Sequence, residues 1–248
     1  MKKLTIGLLT PLLIWSCATQ YNVKGTSSVP ALDGSKLYLK VMQQDDMVAI
    51  DSCEVVHGEF HFAGLLDSVK MASITMGQEG LIPVVLEQGD IQVSINQPTM
   101  RIGGTPLNDT LYRFMQQHTQ LESSMAELGR KESQMLLDGI DEQTIAELLT
   151  REAAVLTRQE DSLVTHFICD NFDNVLGPGV FMMLTANLRY PVLTPQIEEI
   201  LSKATQHFRQ NQYVREYIRM AEENEAKMQG LDAPLPPPPP DTNTDTGR

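Results

Sequence analysis

The stretch "GGTPLNDTLYRF" at residues 103–114 marks a change of hydrophobic period, and that change limits the chain to a two-part α+β architecture. Upstream of it the period is two. "KLYLKVM" (36–42) alternates Leu37, Leu39 and Val41 with polar or mixed residues, as a half-buried strand does. "MVAIDSCEVV" (47–56) and "EFHFAG" (59–64) read as two strands about a tight hairpin at His57-Gly58, with Gly58 supplying the positive φ. In the second strand Phe60 and Phe62 are expected inside, with Glu59 and His61 facing water. "VKMASITM" (69–76), "LIPVVLE" (81–87) and "DIQVSIN" (90–96) continue the series, the last two joined across Gln88-Gly89. Pro83 suits an edge strand or the start of one, because it cannot donate to a ladder. About eight short strands at near-regular spacing predict an antiparallel β-sandwich or barrel-like domain over residues 17–103.

Downstream the period is that of a helix. Thr105 can cap and Pro106 can open one, its φ being pre-set and its first turn needing no donor. Leu107, Leu111, Phe114, His118, Leu121, Met125 and Leu128 then recur at alternating spacings of four and three, a coiled-coil-like seam. "LLDGIDEQ" breaks it with Gly139 and a capping Asp141. A second helix carries Ile145, Leu149, Leu156 and Leu163 on one stripe, which Leu148 and Val155 are expected to widen. With so short a connection the two helices should form an antiparallel hairpin. "CDNFDNVLGPG" (169–179) is a strong breaker. Shorter helices are predicted over about 179–189, from Thr194-Pro195 with Ile197, Ile200 and Leu201, and over about 211–228. The α-helical domain thus covers residues 104–229. Residues 230–248, with five consecutive prolines, favour polyproline II and a disordered tail.

The other end of the chain reads as an address. The run from Leu4 to Trp15 is about twelve residues, against the roughly twenty that a bilayer-spanning helix requires. Lys2 and Lys3 precede it and the small Ser16 follows it, so residues 1–16 have the form of a secretory signal. Ile14-Trp15-Ser16-Cys17 resembles the lipobox of a bacterial lipoprotein, although Trp15 is bulkier than the pattern prefers. The resemblance implies diacylglycerol on Cys17 and an acylated new N-terminus, and two or more acyl chains hold a protein stably on a membrane. No acidic residue follows in "CATQYN", so both the retention signal of the inner membrane and an acidic surface-export tag are missing. An outer-membrane lipoprotein facing the periplasm is the expected placement.

Charge removes other partners. The chain has a formal charge of −13, and losing residues 1–16 leaves 17 bases against 32 acids, or −15. Such a balance argues against nucleic acid and against attraction to anionic lipid. Beyond Cys17 the cysteines are Cys53 and Cys169, with no C-x-x-C for a redox motif or a zinc knuckle. Two separate buried thiols are favoured over a disulfide.

"YNVKGT", "LDGSKLYLKV", "IDSCEVVHGEFHFAG", "VVLEQGDIQVSI" and "GGTPLNDTLYRF", in this order, resemble the family called domain of unknown function 4369. The likeness covers residues 21 to about 115 and continues more weakly through "NFDNVLGPGVF" to Gly230. It implies a β-rich domain behind a lipoprotein signal. It also implies a periplasmic setting, since this domain usually forms the front part of thiol–disulfide oxidoreductases that continue into a thioredoxin-like domain. Such a domain would begin soon after Gly230. Here the sequence reaches a proline tract and stops at Arg248, and the one tryptophan, Trp15, lies in the signal, so the redox activity is not expected to carry over.

Several residue groups invite chemistry. His57, Glu59 and His61 alternate as ligands on one strand face might, but a solvated hairpin face explains them more simply. Asp51-Ser52 beside Cys53 lacks a nucleophile elbow and reads as a polar strand end. Gly103-Gly104-Thr105 could hold an anion at a helix N-terminus, yet a turn with a cap accounts for it. His118 reads as a histidine tolerated in the helical seam, and the leucine and methionine stripe around it as core or partner surface. No catalytic residue, cofactor or metal ligand is assigned, and Cys17 is the one site. The expected function is a lipid-anchored, non-catalytic binding or scaffold module for a protein partner, accessory to thioredoxin-like envelope proteins. The alternative is a degenerate or truncated oxidoreductase.

Overall fold

A computed structural model describes residues 19–43, 46–77, 79–96, 99–186 and 188–231. Cys17, the signal and the proline tract lie outside the described residues. Residue contacts divide the chain into two compact units, the first ending at Arg113 and the second beginning at Phe114.

The first unit has eight strands: β1 (Gln20–Ser27), β2 (Lys36–Gln43), β3 (Asp46–Glu54), β4 (Glu59–Leu65), β5 (Lys70–Met76), β6 (Glu79–Leu86), β7 (Gly89–Asn96) and β8 (Thr99–Gly103). They form two four-stranded sheets, β4-β1-β7-β8 and β3-β2-β5-β6. Inward positions of both, among them Val23, Leu37, Leu39, Ile74, Val84 and Ile91, are wholly buried. The sandwich is therefore the expected one, with one difference. β1 runs parallel to β7, Tyr21 opposite Gly89 through Ser27 opposite Ile95, while every other pairing is antiparallel. A parallel pair needs a long crossover, and the intervening strands supply it.

His57 and Gly58 form the tight turn, with φ of 52° and 73°. Val56 and Glu59 exchange backbone hydrogen bonds of 2.9 and 3.0 Å across it. Beyond that single bridge the expected hairpin does not continue, because β3 pairs with β2 and β4 with β1. Two glycines favour this choice. Phe60 lies opposite Gly25 and Tyr21 opposite Gly64, so each ring crosses a neighbour that has no side chain. A Cβ on Gly25 would sit 2.0 Å from the Phe60 ring. Gly25→Ala is expected to cost about 2 kcal/mol through displacement of that buried ring, read as a lower denaturant midpoint.

Both edges of the second sheet are guarded. On β3 the register slips so that Leu39 faces Asp51 and Lys40 faces Ala49, which makes Ile50 a bulge, and Asp51 shares the inward side with Leu39. Bulges and inward charges are devices that discourage edge pairing. β6 carries Pro83 on the other edge, as its missing N–H demands.

The helices are α1 (Pro106–Leu137), α2 (Glu142–Asp170), α3 (Leu176–Ala186), α4 (Pro195–Lys203), α5 (Gln206–Gln210) and α6 (Gln212–Leu231). The first two turns of α1 belong to the first unit. Asp141 caps α2 by accepting a 2.9 Å bond from the Thr144 N–H, which holds its carboxyl below the usual range. Phe114 stacks on Phe167 at 4.2 Å and Lys131 pairs with Glu152, so α2 runs antiparallel to α1. Leu149 and Leu156 are half-buried on the seam. Leu148 and Val155 do not widen it: they stand one residue, about 100° of helix, away, and are 44% and 40% exposed. The breaker before α3 ends earlier than expected, because Pro178 sits in the first turn, where no donor is required. Phe208 is fully buried, 4.6 Å from Phe172 and 5.6 Å from Phe181 between ring centroids. The Tyr217 hydroxyl donates to the Val192 carbonyl at 2.7 Å and accepts from its N–H at 3.2 Å, fastening the loop before α4. Among the described residues, no helix is long and apolar enough to cross a membrane.

Candidate functional site

Alternation along the sheet β4-β1-β7-β8 buries one set of side chains and turns the other outward. Lys24 and Thr26 of β1, Glu59 and His61 of β4, Gln92 and Ser94 of β7 and Arg101 of β8 share the outer face. Pairing sets them in rows: Lys24 lies between His61 and Gln92, and Ser94 lies beside Arg101. With Cys53, Glu54 and His57, and with Asp109 and Tyr112 from the first turns of α1, they are among the residues that line an open concavity of about 1500 Å³.

Its polar groups are held in place. Lys24 Nζ donates to Asp90 at 3.2 Å, the Asn22 amide donates to the same carboxylate, and His61 Nε2 pairs with the Asn22 carbonyl oxygen. The Asn22 bond first, and then Lys24, hold the Asp90 carboxyl below its ordinary range. The Arg101 guanidinium stands 6.0 Å from the Tyr112 ring centre, within cation–π reach. Asp109 Oδ1 accepts from the Gly104 N–H at 3.1 Å.

Six residues that drew attention separately in the sequence, Cys53, His57, Glu59, His61, Gly103 and Gly104, border this one concavity. Phe60 and Phe62 are buried, and Glu59 and His61 are exposed, as the alternation predicts. Asp51 does not line it, and its carboxylate accepts from the N–H of Ser52 at 2.7 Å. His118 stands in the second unit, half-exposed, 3.2 Å from Glu160 and 3.6 Å from Glu122. Among the described residues no three His, Cys, Asp or Glu side chains are grouped to hold a metal ion.

The helix N-terminus after Gly103-Gly104 does meet an anion, and the chain itself provides it. The N–H groups of Leu107 and Asn108 donate to Glu87 Oε1 at 2.9 and 3.1 Å. Glu87 is buried just beyond the apolar end of β6, so its carboxylate complements the positive end of α1. The Thr105 hydroxyl accepts the Asn108 amide at 2.8 Å. The same amide donates to the Val85 carbonyl at 2.7 Å, and Asn108 Oδ1 accepts from the Val85 N–H at 2.8 Å. Asn108 thus pairs with the edge of β6 as a residue of a further strand would.

Both thiols are free and only half-buried. Burial pushes the Cys53 thiol up, the Asp51 charge adds to this, and a bond to the His61 backbone opposes it. Burial also raises Cys169, against the pull of Lys203. Thiol exchange requires the thiolate. Cys53 is therefore expected to react with Ellman's reagent more slowly than a free cysteine at pH 7, and to accelerate only above the ordinary thiol range. A rate at pH 7 that matched free cysteine would contradict the raised value.

No curated protein and no solved structure matches the chain. Residues 21–111, the sandwich with the opening turn of α1, match the model of the family described as Domain of unknown function (DUF4369).

Proposed function

We propose that this chain is a lipid-anchored, non-catalytic binding or scaffold module, tethered through Cys17 to the outer membrane and facing the periplasm. Its partner is a protein, in our reading a thioredoxin-like envelope protein acting in trans, and the concavity on the outer sheet face receives it. The observation that carries this reading is the composition of that lining. It sets donors, acceptors and both signs of charge around an Arg101–Tyr112 pair, and these two residue types dominate protein interfaces energetically. Its one sulfur, Cys53, is biased toward the unreactive thiol.

The purified chain is expected to show no turnover in insulin reduction, and Arg101→Glu to abolish capture of the partner from envelope extract. Capture unchanged by that variant would remove the concavity from the account, and insulin turnover would favour an oxidoreductase. Cys17→Ala is expected to move the protein from the membrane fraction to the soluble one.

A further inference from the structure

The second unit contains a groove of about 420 Å³ between α1, α2, α3 and the first turn of α4 that the proposed function does not use. Its floor is apolar and buried: Phe114, Val164 and Val180. Met115 and Met183 flank it, and Met183 remains 38% exposed on a helix that is otherwise largely covered. Methionine adapts its shape to what it touches.

The rim has a different character. Glu122, Glu160 and Asp161 stand along it, and no lysine or arginine belongs to the lining. Among the described lining residues the one basic side chain is His118, with the Glu160 and Glu122 carboxylates at 3.2 and 3.6 Å. The volume lies in the range of small-molecule sites, which combine an apolar floor with a few convergent polar groups. An occupant matched to both parts has an apolar body for the floor and a cationic head for the rim. Carboxylates beside a partly desolvated floor attract a cation more strongly than they would in bulk water.

We infer that this groove binds an amphiphilic organic amine, its apolar body on Phe114, Val164 and Val180 and its ammonium against Glu160 and Asp161. The groove belongs to a single unit and is independent of the concavity on the sandwich.

The test uses the full chain with methyl-labelled methionine and tryptamine as the probe. Tryptamine is expected to shift the Met115 and Met183 methyl signals saturably. 3-Ethylindole, which lacks the charge, should bind about tenfold more weakly, and indole-3-propionate, which inverts it, weaker still. Glu160→Gln combined with Asp161→Asn is expected to weaken tryptamine about tenfold while leaving 3-ethylindole unchanged. The proposal is overturned if tryptamine produces no saturable shift up to about 10 mM. It is equally overturned if the unaltered protein binds the acid as well as the amine. That comparison needs no variant, so it stands even where the double substitution perturbs folding.

Discussion

An Asn108→Ala chain is expected to lose about 3–4 kcal/mol of stability, as two or three buried polar groups lose their partners at about 1–3 kcal/mol each. Asn108 is wholly buried, and its amide satisfies the Val85 N–H, the Val85 carbonyl and the Thr105 hydroxyl at once. Alanine leaves all three without a side chain of the right reach, and it leaves a small void as well. The measurement is denaturant unfolding followed by circular dichroism, with the midpoint falling and the slope unchanged. Glu87→Gln is the informative companion: it keeps an oxygen for the Leu107 and Asn108 N–H groups but removes the charge. Its loss should be smaller, about 1 kcal/mol, in line with the interaction of a charge with a helix end. A loss below about 0.5 kcal/mol for Asn108→Ala would mean that the helix start is not held by this network.

Phe208→Ala is expected to cost about 3–5 kcal/mol, the range for removing a large ring from a packed interior. The ring packs at 4.6 Å from Phe172 and 5.6 Å from Phe181, and Phe181 meets Tyr217 edge-on at 5.4 Å. Tyr217 in turn holds the Val192 backbone. Deleting Phe208 therefore empties the centre of an aromatic cluster and loosens the ring that fastens the preceding loop. Phe208→Leu should recover more than half of the loss, because it refills most of the volume. The helical signal at 222 nm, recorded against temperature, reads both variants.

Local patterns carried most of the architecture. The alternation in "KLYLKVM" and "EFHFAG" gives β2 and β4 with their buried faces, and Asp141 and Thr194 start α2 and α4 as their side chains predict. β1 and β8 were harder. Gly25 interrupts the first where a ring needs space, and the second is five residues long with Met100 facing solvent. What the sequence does not disclose is long-range. His57-Gly58 specifies a turn, but which sheet each flank joins depends on Phe60 finding Gly25. Glu87 and Asn108 lie twenty-one residues apart, and no spacing rule joins an acid at a strand end to the first turn of the following helix. The concavity was unreadable for the same reason, since its lining comes from five strands and one helix. Leu148 and Val155 show the converse failure: an apolar residue beside a seam is not thereby in it.

The parallel pairing of β1 with β7 has a kinetic consequence. Tyr21 must meet Gly89, so the central ladder of one sheet closes only after most of the sandwich sequence is available. Separations of this kind raise contact order, and domains dominated by them fold in roughly milliseconds to seconds rather than microseconds. Until β7 is available to it, β1 stands with one flank unmatched.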